Sequence, residues 1–269
     1  MPELPEVETI VRELKSEIVG KKFWKVETYF ENIILPSGQQ LIQGLPGLRI
    51  VDVIRKGKYI IFVLDKKMRL GVHLRMTGRL LWKKVKGREK FIHVCFTFSD
   101  ATTLLFADVR KFGRIYFFPD KDFNKATGIA KLGLDPFVDD FSFENFYVLF
   151  KNKKGILKNN LLRQDLITGI GNIYADEICY RIGKHPSTRL ETLKVKDFKA
   201  MHEAILHCLE QGILHCGVSV SDFVGTRGKQ GEHQKYLQVY GRKGSKCYKC
   251  SALINKTKVA GRGTFYCPV

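Results

Sequence analysis

The chain has 269 residues, enough for a substantial core and for two domains with a small appendage. It carries 46 Lys and Arg against 27 Asp and Glu, a formal net charge of +19, which points to a polyanionic partner: DNA, RNA or an anionic membrane surface. No apolar run reaches the roughly 18 residues that a membrane span needs, and the acid-bearing N-terminus is unlike a signal peptide, so a cytoplasmic location is expected.

In chain order, residues 3–19 read as an amphipathic helix, with Leu4, Val7, Ile10, Val11, Leu14 and Ile18 on the 3.6-residue period. Residues 21–35 and 48–118 read as short strands separated by glycine and charged turns, for example 59–64, 70–74, 91–98 and 115–118. This pattern predicts an antiparallel sandwich or barrel behind one leading helix. The texture changes near Leu132-Gly133-Leu134-Asp135-Pro136. Ser142 can cap a helix running to about Phe150, and a second short helix follows Gly155. The turn Thr168-Gly169-Ile170-Gly171-Asn172 then leads into a third helix from Ile173 to about Arg181. A longer helix is predicted over about Val195 to Gln211, and from Gln238 the chain reads as two hairpins of strand and turn. The domains expected are 1–131, 132–237 and 238–269.

Basic residues cluster in three stretches: fourteen against three acids from Arg49 to Lys90, five against none from Lys151 to Arg163, and ten against one from Arg227 to Arg262. One such stretch is ordinarily a solvated face. Three of them, one in each expected domain, suggest a groove lined from both sides. Seven cysteines are an odd number for disulfides, and three fall in the last 23 residues. Cys247 and Cys250 form a CxxC pair, with sixteen residues between Cys250 and Cys267. That is metal-ligand spacing, and a structural zinc site would take a fourth ligand, expected just past Val269. So short a module needs the metal's binding energy to fold.

Several segments together resemble the bacterial formamidopyrimidine-DNA glycosylases, the 8-oxoguanine DNA glycosylase/AP lyase family. They are Pro2-Glu3-Leu4-Pro5-Glu6-Val7-Glu8-Thr9, Arg55-Lys56-Gly57-Lys58-Tyr59, His73-Leu74-Arg75-Met76-Thr77-Gly78, Asp108-Val109-Arg110-Lys111-Phe112-Gly113, the stretch from Gly169 to Glu177, and that from Ala260 to Pro268. Leu4 points away from the pyrimidine-preferring sister family, which begins Pro-Glu-Gly-Pro-Glu. The resemblance implies an α+β chain: an N-terminal β-sandwich with a leading helix, a helix–two-turn–helix domain and a C-terminal zinc-finger hairpin. Damaged double-stranded DNA would lie between the halves with the lesion flipped out, and a monomer with one structural zinc on Cys247, Cys250 and Cys267 is expected.

The resemblance also implies residue roles. Pro2, once Met1 is removed, is the nucleophile, Glu3 the general acid–base, Glu6 its support, and Lys58 a phosphate-bonding catalytic residue. Read without the family, Glu3 is simply a favourable first-turn acid and Lys58 a solvated turn lysine. His73, Lys158, Asn172, Tyr174 and Arg262 match positions that contact or organise the DNA backbone, while Met76, Arg110 and Phe112 match the residues that fill the void left by the flipped base. Residues 219–236 resemble the lesion-recognition loop, but Gly225 stands where Asn is usual, and Glu232-His233 where Tyr-Phe is usual. Arg163 replaces a usual Asp, and Phe265 a usual His. If Met1 were retained, a catalytically silent DNA-binding module would result.

Overall fold

The computed structural model describes residues 1–83, 90–219 and 224–269. Its contacts gather into two compact units, one comprising Met1–Lys131 with His215–Glu232 and the other Leu132–Leu214 with His233–Val269.

In the first unit, helix α1 (Leu4–Ile18) buries all six residues of its apolar stripe, each at 6% exposure or less. Full burial of such a side chain contributes about 2 kcal/mol relative to exposure, enough to hold a 15-residue helix of near-zero mean hydropathy. Pro5 is tolerated in the first turn, where its missing N–H would have no helical acceptor. Strands β1 (Phe23–Thr28) and β2 (Ile34–Leu35) follow, then a short helix α2 (Gly38–Gly44) capped by Ser37, whose hydroxyl accepts the Gln40 amide at 3.2 Å. Strands β3 (Ile50–Lys56), β4 (Tyr59–Leu64), β5 (Met68–His73), β6 (Gly78–Lys83), β7 (Ile92–Phe98), β8 (Thr103–Asp108) and β9 (Arg114–Pro119) complete two sheets, and α3 (Asp120–Thr127) closes this part of the chain. One sheet has the order β1-β7-β8-β6 and the other β2-β9-β5-β4-β3; only the β2–β9 pair is parallel. A single core draws on both sheets and on α1, including Val7, Ile10, Leu14, Phe62, Leu70, Phe96, Phe106 and Ile115.

Strand β8 is buried at all six positions, so it is covered on both faces. Its outer face, with Leu81, Cys95 and Leu105, packs against Val224. This contact helps to bring His215–Glu232 into the first unit, although the sequence reading groups that stretch with the helices that precede it. Residues 220–223 of the expected recognition loop lie outside the described residues.

The second unit contains α4 (Phe143–Phe150), α5 (Leu157–Leu161), α6 (Asn172–Arg181), α7 (Val195–Leu214) and the hairpin β10 (Asn255–Val259) with β11 (Arg262–Tyr266). Ser142 caps α4, accepting the Asn145 amide at 3.5 Å. The helix α7 runs one turn beyond the expected end at Gln211. Where two hairpins are expected after Gln238, the described residues form one two-stranded hairpin and a CxxC turn closed by the Lys246–Leu253 bridge. Helices α2 and α3 have no counterpart in the sequence reading, because glycine, glutamine and charged residues there mask their short apolar stripes. Among the described residues no helix is long and apolar enough to cross a membrane.

Candidate functional site

Pro2, Glu3 and Glu6 are all buried at the start of α1, with Glu3 at 2% and Glu6 at 1% exposure, whereas Met1 is exposed. Glu3 is the N-cap residue and forms a reciprocal capping box with Glu6. The Glu3 amide donates to Glu6 Oε2 at 2.7 Å, and Glu6 Oε1 accepts the Val218 amide at 2.8 Å. Glu6 therefore ties the helix start to the segment that begins at Gly217. A side chain at Gly217 would meet the Glu6 carboxylate at 2.8 Å, and φ there is +82°, so glycine is required on both counts.

Lys58 follows Gly57 (φ +56°) in the β3–β4 turn and is 7% exposed, so it is no solvated turn lysine. Arg55 sets this turn against α1: its Nε donates to Glu8 Oε2 at 2.8 Å and its Nη1 to the Gly57 carbonyl at 3.3 Å. His73, at the end of β5, is also buried, and its ring packs edge-on against Tyr59 with centroids 4.6 Å apart. Burial first, then the charges of Arg75 and Lys58, lowers its pKa to about 3. His73 is thus neutral at pH 7, and Nδ1 accepts the Arg75 amide at 3.0 Å. The ring proton consequently sits on Nε2, which is a donor.

Met76, Arg110 and Phe112 stand on two exposed turns organised by one completely buried carboxylate, Asp108. Asp108 Oδ1 accepts the Thr77 hydroxyl and the Arg110 amide, the latter at 3.2 Å, and Oδ2 accepts the Gly113 amide at 2.7 Å. The turn after β6's partner strand is thereby locked to the turn before β6. Arg110 Nη1 lies 3.5 Å from Met76 Sδ, and Phe112 is 53% exposed. An exposed phenyl ring, and a thioether beside a guanidinium, are poor core material. They form a surface prepared for stacking and for forked hydrogen bonds.

In the second unit Lys158 is completely buried. Its Nζ lies 2.7 Å from Asp176 Oδ1 and donates to Thr264 Oγ1 at 2.7 Å and to the Gly263 carbonyl at 3.3 Å. Asn172, the first residue of α6, donates through Nδ2 to the same Gly263 carbonyl at 2.9 Å, and Asp176 Oδ2 accepts the Phe265 amide at 2.9 Å. Burial raises the Asp176 pKa to about 6, against the lowering effect of Lys158. Glu177 accepts the amides of Gln238, Val239 and Tyr240 at 2.8–3.0 Å. Successive acids on α6 thus grip both the β10–β11 hairpin and the chain leading to it. Tyr174 is likewise fully buried, stacked on His233 with centroids 5.8 Å apart. Of the residues expected at the DNA backbone in this unit, Arg262 is exposed and Asn172 partly so. Arg262 follows a two-residue turn in which Ala260 (φ +48°) and Gly261 (φ +74°) are both left-handed, as a tight hairpin requires.

Gln164 braces the glycine turn before α6. It accepts the Gly169 amide at 2.9 Å and donates to the carbonyls of Ile170 and Leu162 at 2.8 and 3.0 Å. Arg163 pairs with Asp165 in a forked contact at 3.1 and 2.6 Å on the surface. Phe265 packs edge-on against Tyr240 and beneath Lys256, which explains an aromatic residue there. The sequence reading did not single out Arg55, Asp108, Gln164 or Asp176. For Asp108, Gln164 and Asp176 the available signal is an acid or amide inside a motif of an otherwise basic chain; Arg55 carries no such signal.

The sulfurs of Cys247, Cys250 and Cys267 lie within 4.8 Å of one another, and the Lys249 amide points at Cys247 Sγ at 3.4 Å. Three thiols so gathered, one receiving a backbone N–H as the chain turns back, fit a metal held by thiolates.

Comparison with known proteins agrees with this geometry. Residues 1–115 match the formamidopyrimidine-DNA glycosylase N-terminal domain and residues 132–224 the formamidopyrimidine-DNA glycosylase H2TH domain. A formamidopyrimidine-DNA glycosylase of Pelotomaculum thermopropionicum is 38% identical over 272 residues, spanning 100% of this chain and 98% of the relative. The structure of Lactococcus lactis Fpg in complex with abasic-site DNA is similar with a TM-score of 0.91 and 37% identity, over 99% of this chain and 98% of that one. A mutant of the Lactococcus lactis protein bound to DNA containing Fapy-dG gives a TM-score of 0.93 at 36% identity, with the same coverage. Two domain models in the right order, and full-length relatives well above 30% identity, fix the assignment: the chain belongs to the bacterial formamidopyrimidine-DNA glycosylase family of DNA-repair proteins.

Proposed function

We propose that the protein is a bifunctional DNA glycosylase and AP lyase of base excision repair, which removes oxidised purines such as 8-oxoguanine and formamidopyrimidines and cleaves the strand by β,δ-elimination. The observation that carries this reading is the buried Pro2-Glu3 pair at the positive end of α1, one residue from the chain start. Removal of Met1 makes Pro2 a secondary amine. Such an amine is unprotonated far more readily than a lysine ammonium, so a nucleophile is available near neutral pH. The Pro2 nitrogen attacks C1′ of the damaged nucleotide, the C1′–N bond breaks, and the base leaves with a proton. Glu3 serves as the acid–base group and stabilises charge on the sugar. The C1′–O4′ bond then opens, O4′ takes up a proton, and the iminium so formed acidifies the C2′ proton; loss of that proton expels the 3′ phosphate, a second elimination expels the 5′ phosphate, and water releases Pro2.

Lys58 and the Nε2–H of neutral His73 serve as donors to phosphates beside the lesion, and Arg262 as a forked donor on the hairpin. The α6 N-terminus at Asn172 adds the amide end of a helix, a natural phosphate site. Lys158 and Tyr174 act from within, by fixing the hairpin and α6. Met76 and Phe112 fill the gap left by the everted base, and Arg110 bonds its widowed partner. Cys247, Cys250 and Cys267, with a fourth donor, would hold a structural zinc ion through their thiolates. The ion supplies folding energy to a module with little apolar core. The protein works as a monomer in the cytoplasm.

Borohydride trapping on an abasic-site duplex, with intact mass measured on the same sample, tests the central claim. A covalent protein–DNA adduct is expected from the form lacking Met1. No adduct from that form would overturn the lyase assignment.

A further inference from the structure

Residues 224–227 are fastened to the first unit at several points. Val224 packs on Leu81, Cys95 and Leu105. The Thr226 carbonyl accepts the Trp82 amide at 2.7 Å. Glu13 Oε2 accepts both the Thr226 amide at 2.6 Å and the Thr226 hydroxyl at 2.7 Å, and Arg227 pairs with Glu17. Glu6 holds the Val218 amide from the same helix. On a 3.6-residue period, positions 6, 13 and 17 share one face of α1. The helix that begins beside Pro2 therefore presents a row of three carboxylates to Val218, Thr226 and Arg227. Gly225 matches this row. A Cβ at that position would stand 2.7 Å from Glu13 Oε1 and 2.9 Å from Oε2, so the carboxylate would have to shift from its place on Thr226. The glycine that departs from the usual Asn is thus the residue that lets Glu13 reach Thr226.

We propose that Glu13 is a positioning residue for lesion excision, which fixes residues 224–227 to α1 with Gly225 as its obligatory partner. This rests on the reading above, in which this part of the chain meets the everted base. Glu13 touches neither the sugar nor the phosphates in that scheme. Its loss impairs recognition of a base and spares the chemistry at a site that has none.

Three variants test it: Glu13→Ala, Gly225→Asn and the two combined. Each is assayed for base release from an 8-oxoguanine duplex, for cleavage of a preformed abasic-site duplex, and for trypsin cutting after the exposed Arg227 and Lys229. Loss of two hydrogen bonds to a carboxylate predicts that Glu13→Ala lowers kcat/KM for base release roughly tenfold. Abasic-site cleavage should stay within about twofold, and trypsin cutting should speed up. Gly225→Asn should behave alike in the wild-type background and add little to Glu13→Ala, since one contact underlies both effects. Equal losses on the two duplexes, unchanged trypsin cutting, or full additivity of the two substitutions would each overturn the proposal. If the unsubstituted protein processes neither duplex, the proposed function fails and the excision role with it; the trypsin arm still reports separately whether Glu13 holds the segment.

Discussion

Two turn regions, one in each unit, are built around a single completely buried aspartate, and the two aspartates are compensated differently. Asp108 receives neutral donors, the Thr77 hydroxyl and the amides of Arg110 and Gly113, and the turns it joins project Met76, Arg110 and Phe112 outward. Asp176 receives a buried ammonium, Lys158, as well as the Phe265 amide, and what it fixes is a hairpin. Neutral donors leave the surrounding cations free to face solvent or a ligand. An ion pair consumes its cation, so Lys158 contributes rigidity, and Arg262 at the hairpin tip is left to face outward.

The sharpest way to break this contrast is to remove one charge of the buried pair. Lys158→Met should cost about 3–5 kcal/mol of stability at pH 7, because Asp176 is left as an unpaired buried carboxylate. Replacing both partners by apolar residues, Asp176→Leu with Lys158→Met, should cost far less. Denaturant unfolding of the three proteins checks this, and a double variant as damaged as the single would contradict it. In the first unit no charge is stranded. Asp108→Ala should cost about 2–4 kcal/mol through three donors left without their acceptor. It should also weaken binding to a lesion duplex as Arg110 and Phe112 lose their support. Unchanged duplex affinity would mean that something else sets their posture.

Acid should move the two units in opposite directions. His73 has its pKa held down at about 3, so below its ordinary 6.5 the unfolded chain takes up the proton first. Its contribution to the first unit is present above pH 6.5 and is lost as the pH falls towards 3. Asp176 has its pKa raised from 3.8 to about 6, so the folded state takes up that proton first. Its contribution to the second unit is full below pH 3.8 and is lost as the pH rises through 6. Each slope is at most about 1.4 kcal/mol per pH unit. Hydrogen exchange at pH 7 and pH 5 should show protection falling in β4 and β5, an effect that His73→Gln removes. The smallest effect is expected at the surface pair Arg163–Asp165. Its two side chains are 45% and 54% exposed, so Arg163→Asp should shift the melting free energy by only about 0.5 kcal/mol.

Legibility in the sequence followed the kind of signal. The stripe of α1, the short strands between glycine and charged turns and the Ser142 cap are local, and all three form where periodicity, turns and capping put them. The CxxC pair and Cys267 also carried their meaning in spacing, and their sulfurs do converge. Short α2 and α3 were missed because their buried positions are few: Gly38 and Leu41 in one, Phe123 and Thr127 in the other. Lys58 and Lys158 look alike in sequence as lysines in basic stretches, yet one is buried in a tight turn and the other in an ion pair.

By itself, then, the sequence determined the polyanionic class of partner, the element types, the cysteine cluster and, through its motifs, the family. Those depend on composition, period and spacing, which are written along the chain. Only the tertiary structure decided that Asp108 assembles the three exposed residues, that Lys158 serves the hairpin, and that Glu13 reaches Thr226 across 213 positions of sequence. Each is a contact between distant segments, fixed by which carboxylate is buried next to which donor, and no local pattern encodes that distance.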